Sequence, residues 1–175
     1  MLDANIDKNK FSIFHHASLE EPEILKDTLR AATENLIIDN KPAIIPLNTG
    51  HEHWLILVAK QDEKGNVKFI YNDPNGNPIG DRPKVTQYIN EVYPNAKIED
   101  LKTRQQTNAY DCGVFICDSA IKLANNKPIL TTKEAENKGQ ELRNQHANML
   151  MNKQPNKFQN LVASQKTSNI RTYGR

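Results

Sequence analysis

Arg104-Gln105-Gln106-Thr107-Asn108-Ala109-Tyr110-Asp111-Cys112-Gly113-Val114-Phe115-Ile116-Cys117 sets a cysteine at the junction of a polar loop and an apolar helix. The run from Val114 to Leu123 is almost wholly apolar, as a buried helix requires, and Asp111 stands where a favourable N-cap residue would. Gly113 leaves room for another backbone to approach the first turn. Cys112 then opens the helix, where unpaired amides and the positive end of the helix dipole favour a thiolate over a thiol. A thiolate attacks carbonyls, so the stretch reads as the seat of a nucleophile.

Around that seat, 175 residues suffice for one domain with a substantial core and are too few for two ordinary ones. A net charge of +2 with 25% charged residues gives no strong pull toward nucleic acid or a membrane surface. Two cysteines cannot form a disulfide framework, and on one helix Cys112 and Cys117 would stand about 140° apart, unsuited to bridging. A cytoplasmic, reducing setting is expected. The N-terminus has no signal-peptide pattern, and no apolar run approaches the roughly 20 residues of a membrane span. Residues 1–155 are expected to form a single catalytic domain. Residues 156–175, basic through Lys157, Lys166, Arg171 and Arg175 and free of acids, are expected to form a mobile tail or lead into a longer parent protein.

In chain order, Phe11, Ile13 and Phe14 offer a short apolar anchor, and Ser18 with Glu21 and Pro22 reads as a capping box opening a helix from about Leu19 to Leu36. Ala43–Leu47, His53–Ala59 and Val67–Asp73 read as strands. The second, continuously apolar behind its histidine, suits a strand buried on both faces. Pro83–Tyr93 is a helix, Ala96–Leu101 an edge strand, and Thr131 or Thr132 opens a long polar helix to about Lys153. The fold class is α+β, a small central, mostly antiparallel sheet flanked by helices.

Hairpin arithmetic ties this fold to chemistry. A turn centred on Glu63 sets Ala59 opposite Val67 and His53 opposite Asp73, on one face with Cβ atoms about 5 Å apart. A slip of one residue puts Asn72 on the side of His53 instead, and both registers stay open. With Cys112, His53 and Asp73 complete a nucleophilic triad in the chain order His, Asp, Cys. Gln106, close before the nucleophile, can share an oxyanion with the backbone N–H of Cys112. His51 and His53 have a spacing that can ligate a metal from one strand face, but no further ligand cluster accompanies them, so neither metal nor cofactor is expected. Cys117 falls in the core, and His15, His16 and His146 take no role.

His53-Trp54, the acid ending Tyr71-Asn72-Asp73, and Gln105-Gln106-Thr107-Asn108-Ala109-Tyr110-Asp111-Cys112-Gly113 together resemble the papain-like cysteine proteases of clan CE. That group includes ubiquitin-like protein-specific proteases, adenain-like viral proteases, bacterial effector deubiquitinases and YopJ-type acetyltransferases. The resemblance spans roughly His53 to Leu123. It implies Cys112 as nucleophile, His53 as general base and then acid, Asp73 as its orienting acid, Gln106 as oxyanion donor, and Trp54 as a wall of a narrow channel for a diglycine tail. Some members close that channel with a second tryptophan; Trp54 is the only one here. The implied function is a thiol hydrolase, a peptidase or isopeptidase acting on ubiquitin or a ubiquitin-like modifier. The compact chain and single tryptophan look more like bacterial effector deubiquitinases, which would act as monomers in a host cytosol. Rival readings are an acetyltransferase of the YopJ type, where glutamate usually replaces Asp73, and a module that only binds a ubiquitin fold.

Overall fold

The computed structural model describes residues 9–50 and 53–153. The expected basic tail and His51 lie outside these described residues. The order of elements is β1 (Ser12–Ile13), β2 (Ala17–Ser18), α1 (Pro22–Asp39), β3 (Ala43–Asn48), β4 (Trp54–Gln61) and β5 (Val67–Asn72). A 3-10 turn (Ile79–Asp81), α2 (Pro83–Val92), β6 (Lys97–Asp100), α3 (Cys112–Ala124), α4 (Thr132–Ala135) and α5 (Lys138–Lys153) follow. Among the described residues no helix is long and apolar enough to cross a membrane.

Central strands β3, β4 and β5 are antiparallel, and the short edge strands β1, β2 and β6 run parallel to their neighbours. Leu55 to Ala59 of β4 are buried on both faces, as their continuous apolar run requires. On one face Leu55, Leu57, Phe69 and Tyr71 pack with Leu25, Leu29 and Leu36 of α1 and Val85 and Ile89 of α2. Against the other, Ile56, Val58 and Ile70 meet Ile116, Ala120 and Ala124 of α3. A third cluster of Phe115, Ala135 and Leu142 fastens α4 and α5 behind α3. Helix α3, which Cys112 opens, is thereby clamped between the sheet and a second helical layer.

Pro46 explains why the edge of β3 is divided. Ile44 and Asn48 accept from the N–H groups of Phe14 and Leu19 at 3.0 Å each, so even-numbered residues of β3 face that edge. Pro46, between them, has no N–H to give. The edge partner accordingly breaks there, with β1 pairing Ala43–Ile44 and β2 pairing Leu47–Asn48.

Several local expectations are corrected. The hairpin pairs Ala59 with Phe69, a register two residues from the one expected. The Asp62 carboxylate captures the backbone N–H groups of Lys64 and Asn66, each at 2.9 Å, and Gly65 takes a left-handed φ of 80°. These contacts centre the turn on Lys64. Ser18 does not cap α1: its hydroxyl accepts from Glu20 N–H at 3.1 Å, and the helix begins at Pro22. The capping box is instead at Thr131 and Glu134, and it starts only the short α4. Asn137, at φ 62°, breaks the expected long helix before α5.

Candidate active site

The strand half of the site forms where β4 begins and β5 ends. His53 immediately precedes β4 and Asp73 immediately follows β5; His53 Nε2 and Asp73 Oδ1 are 2.7 Å apart. The two-residue register difference leaves both residues on the same side of the sheet, because side chains alternate with period two. Asn72 turns to the other face, where its Nδ2 donates to Gln105 Oε1 at 2.9 Å. The carboxylate of Asp73 is held from several sides. The Asn75 N–H donates to Oδ1 at 2.8 Å, Asn77 Nδ2 donates to Oδ2 at 3.2 Å, and Arg82 Nη2 lies 3.7 Å from Oδ2. Burial alone would raise its pKa, but the His53 bond and the amide donors outweigh it and hold the carboxyl below its ordinary value. At neutral pH Asp73 is therefore an acceptor only. Nε2 of His53 must carry the hydrogen, and Nδ1 is left to accept a proton.

Cys112 is the first residue of α3 and is 4% exposed. Asp111 occupies the N-cap position but makes no side-chain cap bond; its carbonyl accepts from Val114 and Phe115. A Cβ on Gly113 would meet nothing within 4 Å, so the expected intramolecular backbone does not approach there and the space beside Cys112 is open. Cys117, half-buried against the α3 face of the sheet, has its thiol pushed up to about 11 by burial, in keeping with a core role. Neither cysteine is in a disulfide.

The loop before Cys112 is laced to the loop after β5. The carbonyl of Pro74 accepts from the N–H groups of Gln105 and Gln106, both at 2.8 Å, and Asn75 bridges Arg104. Gly76, at φ 78°, permits that approach, since a Cβ there would lie 2.8 Å from Arg104 Cβ. Gln106 is buried, its Nε2 donating to the carbonyl of Asn108. An amide nitrogen carries two hydrogens, so a second remains for another acceptor. Trp54 is half-buried against the α3 face, with His16 edge-on to it at 5.5 Å between ring centroids.

Gln105, for which the sequence reading found no separate role, is the buried centre of the lacing. Its Oε1 accepts from Asn72 at the end of β5 and from Ser119 Oγ on α3 at 3.2 Å, while its Nε2 donates to the Leu130 carbonyl at 3.2 Å. Gln105→Ala should cost about 2–4 kcal/mol of stability, because it strands two buried donors, Asn72 and Ser119, and the half-buried Leu130 carbonyl at once. Urea unfolding would measure it, and an unchanged midpoint would show that other groups can replace these bonds.

The profile of the RickCE-like catalytic domain family matches residues 41–142, a span that holds His53, Trp54, Asp73, Gln105, Gln106 and Cys112. The chain belongs to that family. The solved structure of the Rickettsia bellii effector protein RickCE is 37% identical, with a TM-score of 0.71 over 75% of this chain and 54% of that one. Among curated proteins, ubiquitin-like-specific protease 1 of Saccharomyces cerevisiae is 29% identical over 43% of this chain and 13% of its own length. NEDD8-specific protease 1 of Schizosaccharomyces pombe is 25% identical over 60% of this chain and 27% of its own. This RickCE-like domain thus has the clan CE cysteine protease fold and spans well under two thirds of each relative's length.

Proposed function

We propose that the domain is a cysteine isopeptidase that cleaves after the C-terminal diglycine of ubiquitin or a ubiquitin-like modifier, with ubiquitin favoured. The observation that carries this reading is the His53–Asp73 bond, laced through Pro74 to the segment bearing Gln106 and Cys112. Cys112 as thiolate attacks the carbonyl carbon of the terminal glycine. The oxyanion then faces the Cys112 N–H and the second Nε2 hydrogen of Gln106. As the C–N bond breaks, His53 returns a proton to the departing lysine amine, leaving a thioester. His53 next takes a proton from water, whose oxygen displaces the thiolate and releases the modifier as a carboxylate.

Trp54 at the start of β4 would form one wall for the tail, and the open space at Gly113 leaves room for a slender glycine backbone beside the sulfur. Similarity to proteases named for ubiquitin-like proteins and NEDD8 supports this substrate class, and similarity to a Rickettsia effector supports action in a host cytosol. The test is exposure of the monomeric protein to ubiquitin, SUMO and NEDD8 carrying C-terminal electrophiles. Absence of any adduct would sink the isopeptidase reading, and adducts with SUMO or NEDD8 alone would move the preference from ubiquitin. Gln106→Ala should lower turnover about ten- to a thousandfold, with the change mainly in kcat. Unchanged turnover would remove Gln106 from the oxyanion site.

A further inference from the structure

An oxyanion donor must be held still before the charge arrives, and the contacts that fix Gln106 lead away from the sheet to α5. Arg143 donates from Nε to Oδ1 of Asp111, with Nη2 in ion-pair contact with the same oxygen, and from Nη2 to the Tyr110 carbonyl at 2.9 Å. Asp111, 4% exposed, accepts with Oδ2 from Asn108 Nδ2 at 2.6 Å. Asn108 folds its own loop, its Oδ1 accepting from the N–H groups of Tyr110 at 3.1 Å and Asp111 at 3.0 Å. Its backbone carbonyl is the acceptor for Gln106 Nε2. Each group in this series is oriented by the one before it.

Two features mark the series as a built relay. The Asp111 carboxylate makes no cap bond to α3, although it occupies the N-cap position. In addition, α5 comes so close that a Cβ on Gly139 would lie 2.0 Å from Asp111 Oδ2. The guanidinium holds one carboxylate oxygen, Oδ1, while Asn108 holds the other, so the carboxylate is fixed from both ends. The Arg143 guanidinium is itself steadied 5.0 Å from the centroid of the Tyr110 ring.

We propose that Arg143 is a positioning residue for the oxyanion site, acting through Asp111 and Asn108 to aim the side-chain amide of Gln106. This rests on the isopeptidase reading for its kinetic consequence, but not for its structural one. Without the guanidinium, a nearly buried carboxylate loses its charged partner, turns toward water and releases Asn108. Gln106 then keeps its place in the chain and loses its aim.

The experiment compares wild type with Arg143→Met, Arg143→Lys and the near-isosteric Asp111→Asn. The first readout is the Gln106 side-chain amide resonance in a 15N-labelled sample, assigned by its loss in Gln106→Ala. In Arg143→Met and Asp111→Asn it should move toward the position of a solvent-exposed glutamine amide. The second is hydrolysis of a ubiquitin C-terminal amide, where kcat should fall roughly tenfold to a hundredfold with KM held within about twofold, and Arg143→Lys should be intermediate. The third is alkylation of Cys112 by iodoacetamide, a displacement at saturated carbon that builds no oxyanion; its rate should stay within about threefold.

An unmoved Gln106 resonance in both variants would overturn the relay. Alkylation falling in step with kcat would also overturn it, by showing a general loss of site structure. Should wild type hydrolyse no ubiquitin-like substrate, the isopeptidase reading falls while the resonance still decides whether Arg143 aims Gln106.

Discussion

Cys112→Ala should abolish turnover and every covalent adduct with electrophilic ubiquitin while leaving the fold and the affinity for ubiquitin in place. Loss of the sulfur removes thioester formation itself, so the fall should be at least about 10⁴-fold, down to the residual left by binding and the oxyanion donors. No second thiol is placed to substitute. Cys117 lies against the apolar face with Ile56, Val58 and Ile70, and burial pushes its thiol up to about 11. Alanine is the best helix former and α3 is anchored by Phe115, Ile116 and Ala120, so thermal unfolding should shift little. Intact-mass spectrometry after probe treatment, beside calorimetric titration with ubiquitin, checks both halves. An adduct that survives the substitution would remove Cys112 from the nucleophile's role.

Why the strand half of the site was legible can be traced to parity. The expected hairpin register was two residues off, yet His53 and Asp73 still meet, since an even slip preserves the face of every side chain. The same reasoning left Asn72 open through a slip of one residue, and the observed even register sends it to the other face. Apolar runs also marked β4 and α3, whose burial on the sheet follows from their composition. Contacts set by long-range polar partners could not be read in this way. Nothing in Gln105-Gln106 tells which amide turns toward Asn72 and Ser119 and which toward the Asn108 carbonyl. Asp111 likewise has N-cap chemistry, but a distant arginine on α5 competes for its carboxylate and wins it. Strands β1 and β2 escaped notice because each is two residues long; Pro46 was the available signal, since its missing N–H requires a break in the edge pairing.

Asp73→Asn should be nearly as damaging to turnover as loss of the sulfur, and for a reason that its shape would not suggest. Wild-type Asp73 offers acceptors only, Oδ1 to His53 Nε2 and the Asn75 N–H, and Oδ2 to Asn77 Nδ2, with Arg82 nearby. An asparagine can keep its oxygen toward His53, but its NH₂ then faces the Asn77 donor and the Arg82 guanidinium. Turned round, it presents a donor to Nε2 and forces the hydrogen onto Nδ1, the nitrogen that must accept the proton from the thiol. Neither orientation supplies the negative charge that steadies the imidazolium formed during attack. A fall in kcat of about 10²- to 10⁴-fold follows, with little change in KM. Stability carries an independent signature. Because the carboxyl is held below its ordinary value, its contribution is complete above the unfolded pKa of about 3.9 and is lost as pH falls through the lower folded value. The stability difference between wild type and Asp73→Asn should therefore narrow as the pH falls below about 4, as read from urea midpoints. A difference that failed to narrow below about pH 4, or near-normal turnover in Asp73→Asn, would mean that Asp73 neither bears the charge nor sets the tautomer of His53.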